Sequence, residues 1–162
     1  MYKLDFQHPT YIYFTGIGGI SMSSLAEILA DAGFRVAGSD WNHSETTARL
    51  EQKGIQIFYG QQRRENITDD IDCAVFTSAV HKDNPEYLAV TQKGLPHLSR
   101  GELLGQLMLN YKTPIAVSGT HGKTTTTSMI SEILLEAKTD PTLLIGGMYK
   151  NAGGNTRIGA HD

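Results

Sequence analysis

The stretch Tyr11-Ile12-Tyr13-Phe14-Thr15-Gly16-Ile17-Gly18-Gly19-Ile20-Ser21 decides the fold of this chain. It opens with a continuous apolar run, which is typical of a strand covered on both faces in a parallel sheet. A glycine-rich turn follows, and after it apolar residues recur at helical spacing, at Leu25, Ile28, Leu29 and Ala32. A strand, a glycine turn and a helix in this order predict a unit that binds phosphate with backbone N–H groups at the helix N-terminus.

The same alternation of short apolar runs and helical patterns continues to about residue 110. Further strands are predicted at residues 34–39, 55–59, 73–76 and 95–98, with helices between them. Asn84-Pro85 predicts the start of one helix, and Ser99-Arg100-Gly101-Glu102 is a capping box that predicts another. We therefore predict an α/β fold over residues 1–110, a Rossmann-like doubly wound parallel sheet of about five strands.

A second glycine-rich turn, Gly119-Thr120-His121-Gly122-Lys123-Thr124, restarts the pattern after a linker at residues 110–114. Strands are predicted at 115–118 and 142–145, and a loose tail from 146 to 162. The helix between the strands carries apolar residues on one side, namely Met129, Ile130, Ile133 and Leu134. Because one βαβ unit is too short to bury a core, we expect residues 111–162 to be the truncated start of a P-loop ATP-binding domain.

Composition excludes several classes of protein. The net charge is −3, and no cluster of Lys and Arg indicates nucleic-acid binding. The chain contains no apolar run of the roughly 20 residues that span a bilayer, and its N-terminus lacks the pattern of a signal peptide. Cys73 is the only cysteine, so no intrachain disulfide can form. We predict a cytoplasmic protein that binds neither nucleic acid nor membrane.

The first turn predicts a site for a nucleotide diphosphate. Gly16 permits the tight turn, Gly18 lets the backbone approach a pyrophosphate, and Asp40 has the spacing of a ribose-binding carboxylate. The dinucleotide fingerprint has Gly or Ala where Ser21 stands. These residues alone leave NAD, FAD, a UDP-sugar and a purely structural turn as open alternatives.

The second turn predicts a site for a nucleoside triphosphate. A strict P-loop motif requires glycine where Val117 stands, so this loop is a shortened relative. Backbone amides of residues 119–123 would wrap the phosphates, Lys123 would neutralise the β- and γ-oxygens, and Thr124 would offer its hydroxyl to Mg²⁺. Thr125 is the best candidate for a further phosphate contact. His121 lies near the nucleotide or only shapes the turn.

Taken together, these motifs resemble those of the Mur ligase family. The matching stretches run in order from about residue 11 to 159 and are 16–23, 38–40, 77–80, 84–86, 119–127 and 145–147. The resemblance implies that the first domain binds the UDP of a sugar substrate through Gly16, Ile17, Gly18, Gly19, Ile20, Ser21, Asp40 and Ser78. It implies that the second binds ATP through Gly119, Thr120, His121, Gly122, Lys123, Thr124 and Thr125, with Lys123 as the catalytic residue and Thr124 on Mg²⁺.

The activity implied by the resemblance is ATP-dependent ligation of L-alanine to UDP-N-acetylmuramate through an acyl phosphate, in peptidoglycan precursor synthesis. The chain would be the N-terminal portion of that enzyme, inactive alone. Three alternatives stay open: an NAD-binding oxidoreductase or sensor domain, the family ligase that attaches recycled peptide to the same sugar, and a fragment that only binds the UDP-sugar. Because unpaired parallel strands seek partners, a homodimer is a further hypothesis.

Overall fold

The computed structural model describes residues 2–149 and 154–160. Two compact units are present, Met1–Asn110 and Tyr111–Asp162. The first contains β1 (Tyr11–Thr15), α1 (Ile20–Asp31), β2 (Arg35–Asp40), α2 (Glu45–Gln52), β3 (Gln56–Tyr59), a 3₁₀ turn (Arg64–Asn66), β4 (Cys73–Phe76), α3 (Pro85–Gln92), β5 (His97–Ser99) and α4 (Arg100–Met108). The second contains α5 (Lys123–Glu136), β6 (Leu143–Tyr149) and β7 (Gly154–Arg157).

The first unit is built on a parallel sheet with the strand order β3-β2-β1-β4-β5. This confirms the predicted Rossmann-like α/β fold. The chain runs outwards from β1 through β2 to β3 and then crosses to β4 on the other side of β1. The strand order therefore reverses between the neighbouring strands β1 and β4. In open α/β sheets, ligands bind at the carboxyl ends of the strands at such a switch point.

The central strand is buried because helices cover both faces of a parallel sheet. Ile12, Tyr13 and Phe14 of β1 are completely buried, which accounts for the continuous apolar run in the sequence. At the edge of the sheet, the Ser99 hydroxyl accepts from Glu102 N and the Glu102 carboxylate accepts from Ser99 N. The predicted capping box at the start of α4 is therefore present.

The second unit differs from the prediction of a parallel βαβ unit. Within the described ranges, residues 115–118 pair with no strand, so the strand predicted there is wrong. Instead, β6 pairs in an antiparallel direction with β7, in a region predicted to be a loose tail. Arg157 at the end of β7 helps to hold this pair of strands together. Its guanidinium donates to the Asp140 carboxylate at 2.5 Å and to Pro141 O at 2.7 Å, just before β6.

The apolar side that was predicted for α5 is partly exposed. Met129 is 61% exposed and Ile133 is 68% exposed, whereas Ser131 on the same helix is buried. A strand needs neighbours to satisfy its backbone, and an apolar helix face needs a sheet to cover it.

Of the helices in the described ranges, none is both long and apolar enough to cross a bilayer.

Candidate functional site

The first glycine turn lies at the carboxyl end of β1, at the switch point of the sheet. Gly16 N and Ile17 N both donate to Ser39 O of β2, at 2.8 and 3.0 Å. The Ile17 side chain is completely buried. These two residues therefore hold the turn to the sheet, and their N–H groups are already used.

The turn can approach β2 closely because Gly38 has no side chain. A Cβ added at Gly38 would lie 2.5 Å from Phe14 O and 2.9 Å from the Cβ of Ile17. Both distances are shorter than van der Waals contact, so any larger residue would displace the turn. This gives a packing reason for the stretch Gly38-Ser39-Asp40 that was singled out in the sequence.

Asp40 lies directly against the turn. Its Oδ2 atom accepts a hydrogen bond of 2.8 Å from Gly18 N, and its Oδ1 accepts one of 3.3 Å from Asn42 N. A Cβ at Gly18 would lie 2.7 Å from the same Oδ2. The sequence prediction placed both residues in one site, and the structure brings them into contact.

α1 begins at Ile20, directly after the glycine turn. Gly19 is its N-cap and has no side chain with which to cap the helix. The first N–H groups of a helix lack intrahelical partners and carry the positive end of the helix dipole. Such a terminus next to a glycine turn is suited to bind a diphosphate.

The loop after β4 lines the other side of the switch point. Val80 N donates to Thr77 O at 3.2 Å, which closes a tight turn over Ser78 and Ala79. A Cβ built on Gly16 would lie 3.9 Å from Thr77 Cγ2, so the two loops are neighbours. Ser78 is exposed at the tip of its turn.

Below the two loops lies a buried carboxylate that the sequence analysis did not assign to the site. Glu86 of α3 is 0% exposed and accepts four hydrogen bonds. The donors are Tyr13 Oη (2.8 Å), Thr15 Oγ1 (2.6 Å), Ser39 Oγ (2.8 Å) and Asn66 Nδ2 (2.8 Å). A carboxylate is an acceptor with about four lone-pair sites, so these donors satisfy it.

Burial and the Glu86 carboxylate also act on Tyr13. Burial is the main cause that raises the pKa of the Tyr13 hydroxyl, and the nearby negative charge raises it further. Tyr13 therefore stays protonated and donates.

The only sequence signal for Glu86 was its place in Asn84-Pro85-Glu86. An acid in the first turn of a helix is usually exposed and interacts with the helix dipole.

The second glycine turn leads into α5. Gly122 is the N-cap with a left-handed φ of 77°, and no side chain of a described residue caps the helix. Lys123 Nζ donates to Gly119 O at 2.6 Å and to Thr120 O at 3.2 Å, so the ammonium folds back over the turn. His121, Thr124 and Thr125 are all exposed, and Thr124 lies beside Gly146 and Gly147, since a Cβ added at Gly147 would lie 3.5 Å from Thr124 Cγ2. An uncapped helix start beside a lysine fits the phosphates of a nucleotide.

Comparison with known proteins identifies the family. The sequence model described as Mur ligase family, catalytic domain, matches residues 11–112. The chain belongs to the Mur ligase family.

Two close relatives carry one name. The UDP-N-acetylmuramate–L-alanine ligase of Agathobacter rectalis is 57% identical over 159 residues, which are 98% of this chain and 34% of that protein. The ligase of the same name from Acetivibrio thermocellus is 54% identical and is covered to 33%. This Mur ligase chain thus spans about a third of the length of the curated relatives it matches.

Solved structures give the same picture at the level of the fold. The UDP-N-acetylmuramate–alanine ligase of Thermotoga maritima superimposes with a TM-score of 0.82 at 36% identity, over 94% of this chain and 35% of that one. The UDP-N-acetylmuramate:L-alanyl-γ-D-glutamyl-meso-diaminopimelate ligase of Neisseria superimposes with a TM-score of 0.83 at 31% identity, over 93% and 47%. Fold similarity therefore does not separate these two kinds of Mur ligase.

Proposed function

We propose that this chain provides the UDP-sugar site and the phosphate loop of a cytoplasmic ligase that joins L-alanine to UDP-N-acetylmuramate in peptidoglycan precursor synthesis. The observation that carries the proposal is the pair of uncapped helix starts after glycine turns in one Mur ligase chain. The first has a carboxylate beside it and the second a lysine. The shared name of the two close relatives supports alanine as the amino acid.

In this proposal the diphosphate of the UDP-sugar lies at the start of α1. The N–H groups of Gly18 and Gly19 exchange their bonds to Asp40 Oδ2 and Gly16 O for phosphate oxygens. Ile20 and Ser21 follow at the start of α1, while Gly16 and Ile17 shape the turn. Asp40 has lone pairs left after its bonds to Gly18 and Asn42, and these accept from ribose hydroxyls. Ser78 contacts the same nucleotide from the loop after β4.

The triphosphate of ATP lies at the start of α5, against the turn of Gly119, Thr120, His121 and Gly122. Lys123 exchanges its bonds to the turn carbonyls for the β- and γ-oxygens, where its charge stabilises the transferring phosphoryl group. Thr124 holds Mg²⁺ and Thr125 contacts phosphate. ATP would donate its γ-phosphoryl group to the muramoyl carboxylate and leave as ADP, while Mg²⁺ would neutralise charge on the phosphates. The amine of L-alanine would then attack the acyl phosphate, forming the amide and releasing phosphate.

Two alternative functions make different predictions. The ligase that attaches recycled peptide would use the same UDP-sugar, so it differs only in the amine that it joins. An NAD-binding oxidoreductase or sensor would use the first turn and leave Lys123 and Thr124 without a role. A homodimer is a separate hypothesis, which sedimentation over a range of concentrations tests: a chain that stays monomeric contradicts it.

Thermal-shift measurements with UDP-N-acetylmuramate, Mg-ATP and NAD test the proposal. A ligand at about 100 times its dissociation constant stabilises the folded state by about 2.7 kcal/mol. We expect a clear shift with the UDP-sugar, a weaker one with Mg-ATP and none with NAD. A shift with NAD and none with the UDP-sugar would refute the ligase assignment.

A glycine variant tests the place of the diphosphate. Gly18→Ala puts a Cβ 2.7 Å from Asp40 Oδ2 and 2.9 Å from Thr47 Cγ2, so the turn or these two side chains must shift. We expect it to abolish the shift with the UDP-sugar. Gly105→Ala is the matched control, because a Cβ there meets no atom of the described residues within 4 Å. Equal binding by the two variants would contradict the proposed diphosphate position.

A further inference from the structure

Trp41 has a large aromatic side chain that is exposed to solvent. It is the only tryptophan in the sequence and is 61% exposed. It follows Asp40 directly, at the carboxyl end of β2. Its indole ring therefore offers a broad apolar face to solvent beside the candidate site.

The segment that carries Trp41 is held in place on both sides. Before it, Asp40 accepts from Gly18 N and from Asn42 N, and Asp40 O accepts from Gly60 N at 3.0 Å. After it, the His43 ring stacks on the Tyr59 ring, with 3.9 Å between centroids and 20° between planes. Tyr59 also pairs with Asp40 in the register of β2 and β3. The backbone that carries the Trp41 side chain is therefore held in place by contacts on both sides.

We propose that Trp41 is the stacking surface for the base of the bound nucleotide, an inference that rests on the proposed function. A nucleotide has its phosphate, ribose and base in that order. With the diphosphate at the glycine turn and the ribose at Asp40, the base lies beyond Asp40, where Trp41 begins the next segment. Every base has a π-face, and aromatic side chains bind bases by stacking on them.

Charge and shape agree with this role. Uracil is neutral and flat, and it needs an apolar surface with polar groups near its edge. Asn42 and His43 lie next to Trp41 in the chain and carry hydrogen-bonding groups for such an edge. Stacking tolerates every base, so Trp41 provides affinity for the nucleoside, and selection among bases falls to edge contacts.

The fluorescence of the single tryptophan gives a direct test with the 162-residue chain. Titration with UDP is expected to quench the emission of Trp41, whereas inorganic pyrophosphate, which carries no base, is expected to leave it unchanged. Equal quenching by pyrophosphate would overturn the inference, because the indole would then be reporting the phosphate turn.

Calorimetric titration of variants with UDP-N-acetylmuramate completes the test. Trp41→Ala is expected to weaken binding about tenfold, and Trp41→Phe, which keeps an aromatic face, by much less. Leu109→Ala is the matched control, since Leu109 is an apolar side chain that is 81% exposed elsewhere in the same unit. The melting temperature of each variant shows that an exposed side chain has been removed without unfolding the chain.

The outcomes separate the two proposals. Tight binding of UDP-N-acetylmuramate by both the unmodified chain and Trp41→Ala would overturn the stacking role and leave the proposed function standing. No binding by the unmodified chain would overturn the proposed function, and the stacking role with it. Weaker binding by Trp41→Ala, with Leu109→Ala unchanged, supports both.

Discussion

Glu86 Oε2 accepts a hydrogen bond of 2.6 Å from Thr15 Oγ1, which ties the first turn of α3 to the last residue of β1. Thr15 immediately precedes the glycine turn, and the same carboxylate oxygen accepts from Ser39 Oγ of β2. One buried acid thus joins the two strands whose ends form the candidate diphosphate site. This contact connects the stability of the fold to the geometry of the site.

Replacement of Glu86 by alanine is expected to destabilise the chain by about 3 kcal/mol, because it leaves buried hydroxyl and amide donors without an acceptor. Urea denaturation measures the change in the free energy of unfolding. Glu65→Ala is the control, since Glu65 is exposed on the 3₁₀ turn and its loss should change stability by less than about 0.5 kcal/mol. Similar values for the two variants would show that the buried network contributes little.

Gly38→Ala is expected to impair both the fold and the binding of UDP-N-acetylmuramate. The added Cβ would lie 2.5 Å from Phe14 O, so β1, β2 or the glycine turn must shift. Overpacking of this kind costs about 1–3 kcal/mol. Chemical denaturation and calorimetric binding measure the two effects, with Gly105→Ala as the control. A Gly38→Ala chain as stable as the unmodified one would mean that the sheet relaxes without strain.

Lys123→Ala is expected to lower the affinity for Mg-ATP and to leave stability almost unchanged. Lys123 is exposed, and its bonds to Gly119 O and Thr120 O are those of an exposed side chain. Its removal should therefore alter the free energy of unfolding by less than about 0.5 kcal/mol. Lys112→Ala removes an exposed lysine from the same unit and should bind Mg-ATP normally. Undiminished binding by Lys123→Ala would remove the lysine from the proposed site.

Cys73 should be unreactive in the folded chain. Burial raises the pKa of its thiol from 9.0 to about 12, with the nearby Asp72 charge as a smaller cause. At about pH 8 a disulfide reagent should modify the unfolded chain quickly and the native chain only as it unfolds. Fast modification under native conditions would show that β4 opens readily.

The same thiol makes stability depend on alkaline pH. Since the folded pKa is raised, the folded state retains a proton that the unfolded state releases. The stabilisation is complete below pH 9.0 and is lost as the pH rises towards about 12. Cys73→Ala should lose less stability over this interval than the unmodified chain. Parallel curves for the two proteins would contradict the shift.

Local sequence was sufficient for the first unit. The apolar run at Tyr11–Thr15, the glycine turn and the capping box at Ser99 each depend on residues close in the chain. Parallel strands of this kind carry their own pattern, since both faces are buried. That Gly18 and Asp40 share one site could also be predicted from the sequence, because a carboxylate after the second strand has a characteristic spacing from the turn.

Other features depend on residues that are distant in the chain, and no local pattern encodes them. The four donors to Glu86 come from two strands and a 3₁₀ turn, and Asn66 lies 20 residues from it. In the second unit, residues 115–118 have the apolar character of a strand, but a strand forms only where a neighbour accepts its hydrogen bonds. The sequence pattern likewise did not indicate that β6 pairs with β7.

Sequence alone determined the order of strands and helices in the first unit, the two glycine turns and the residues that face them, because these follow from periodicity and from the conformational freedom of glycine. Tertiary structure alone decided which buried acid supports the first glycine turn, which N–H groups donate to Ser39 O, and that Trp41 is exposed. Burial and hydrogen-bond satisfaction are properties of the assembled sheet, and they come into being only when distant segments meet.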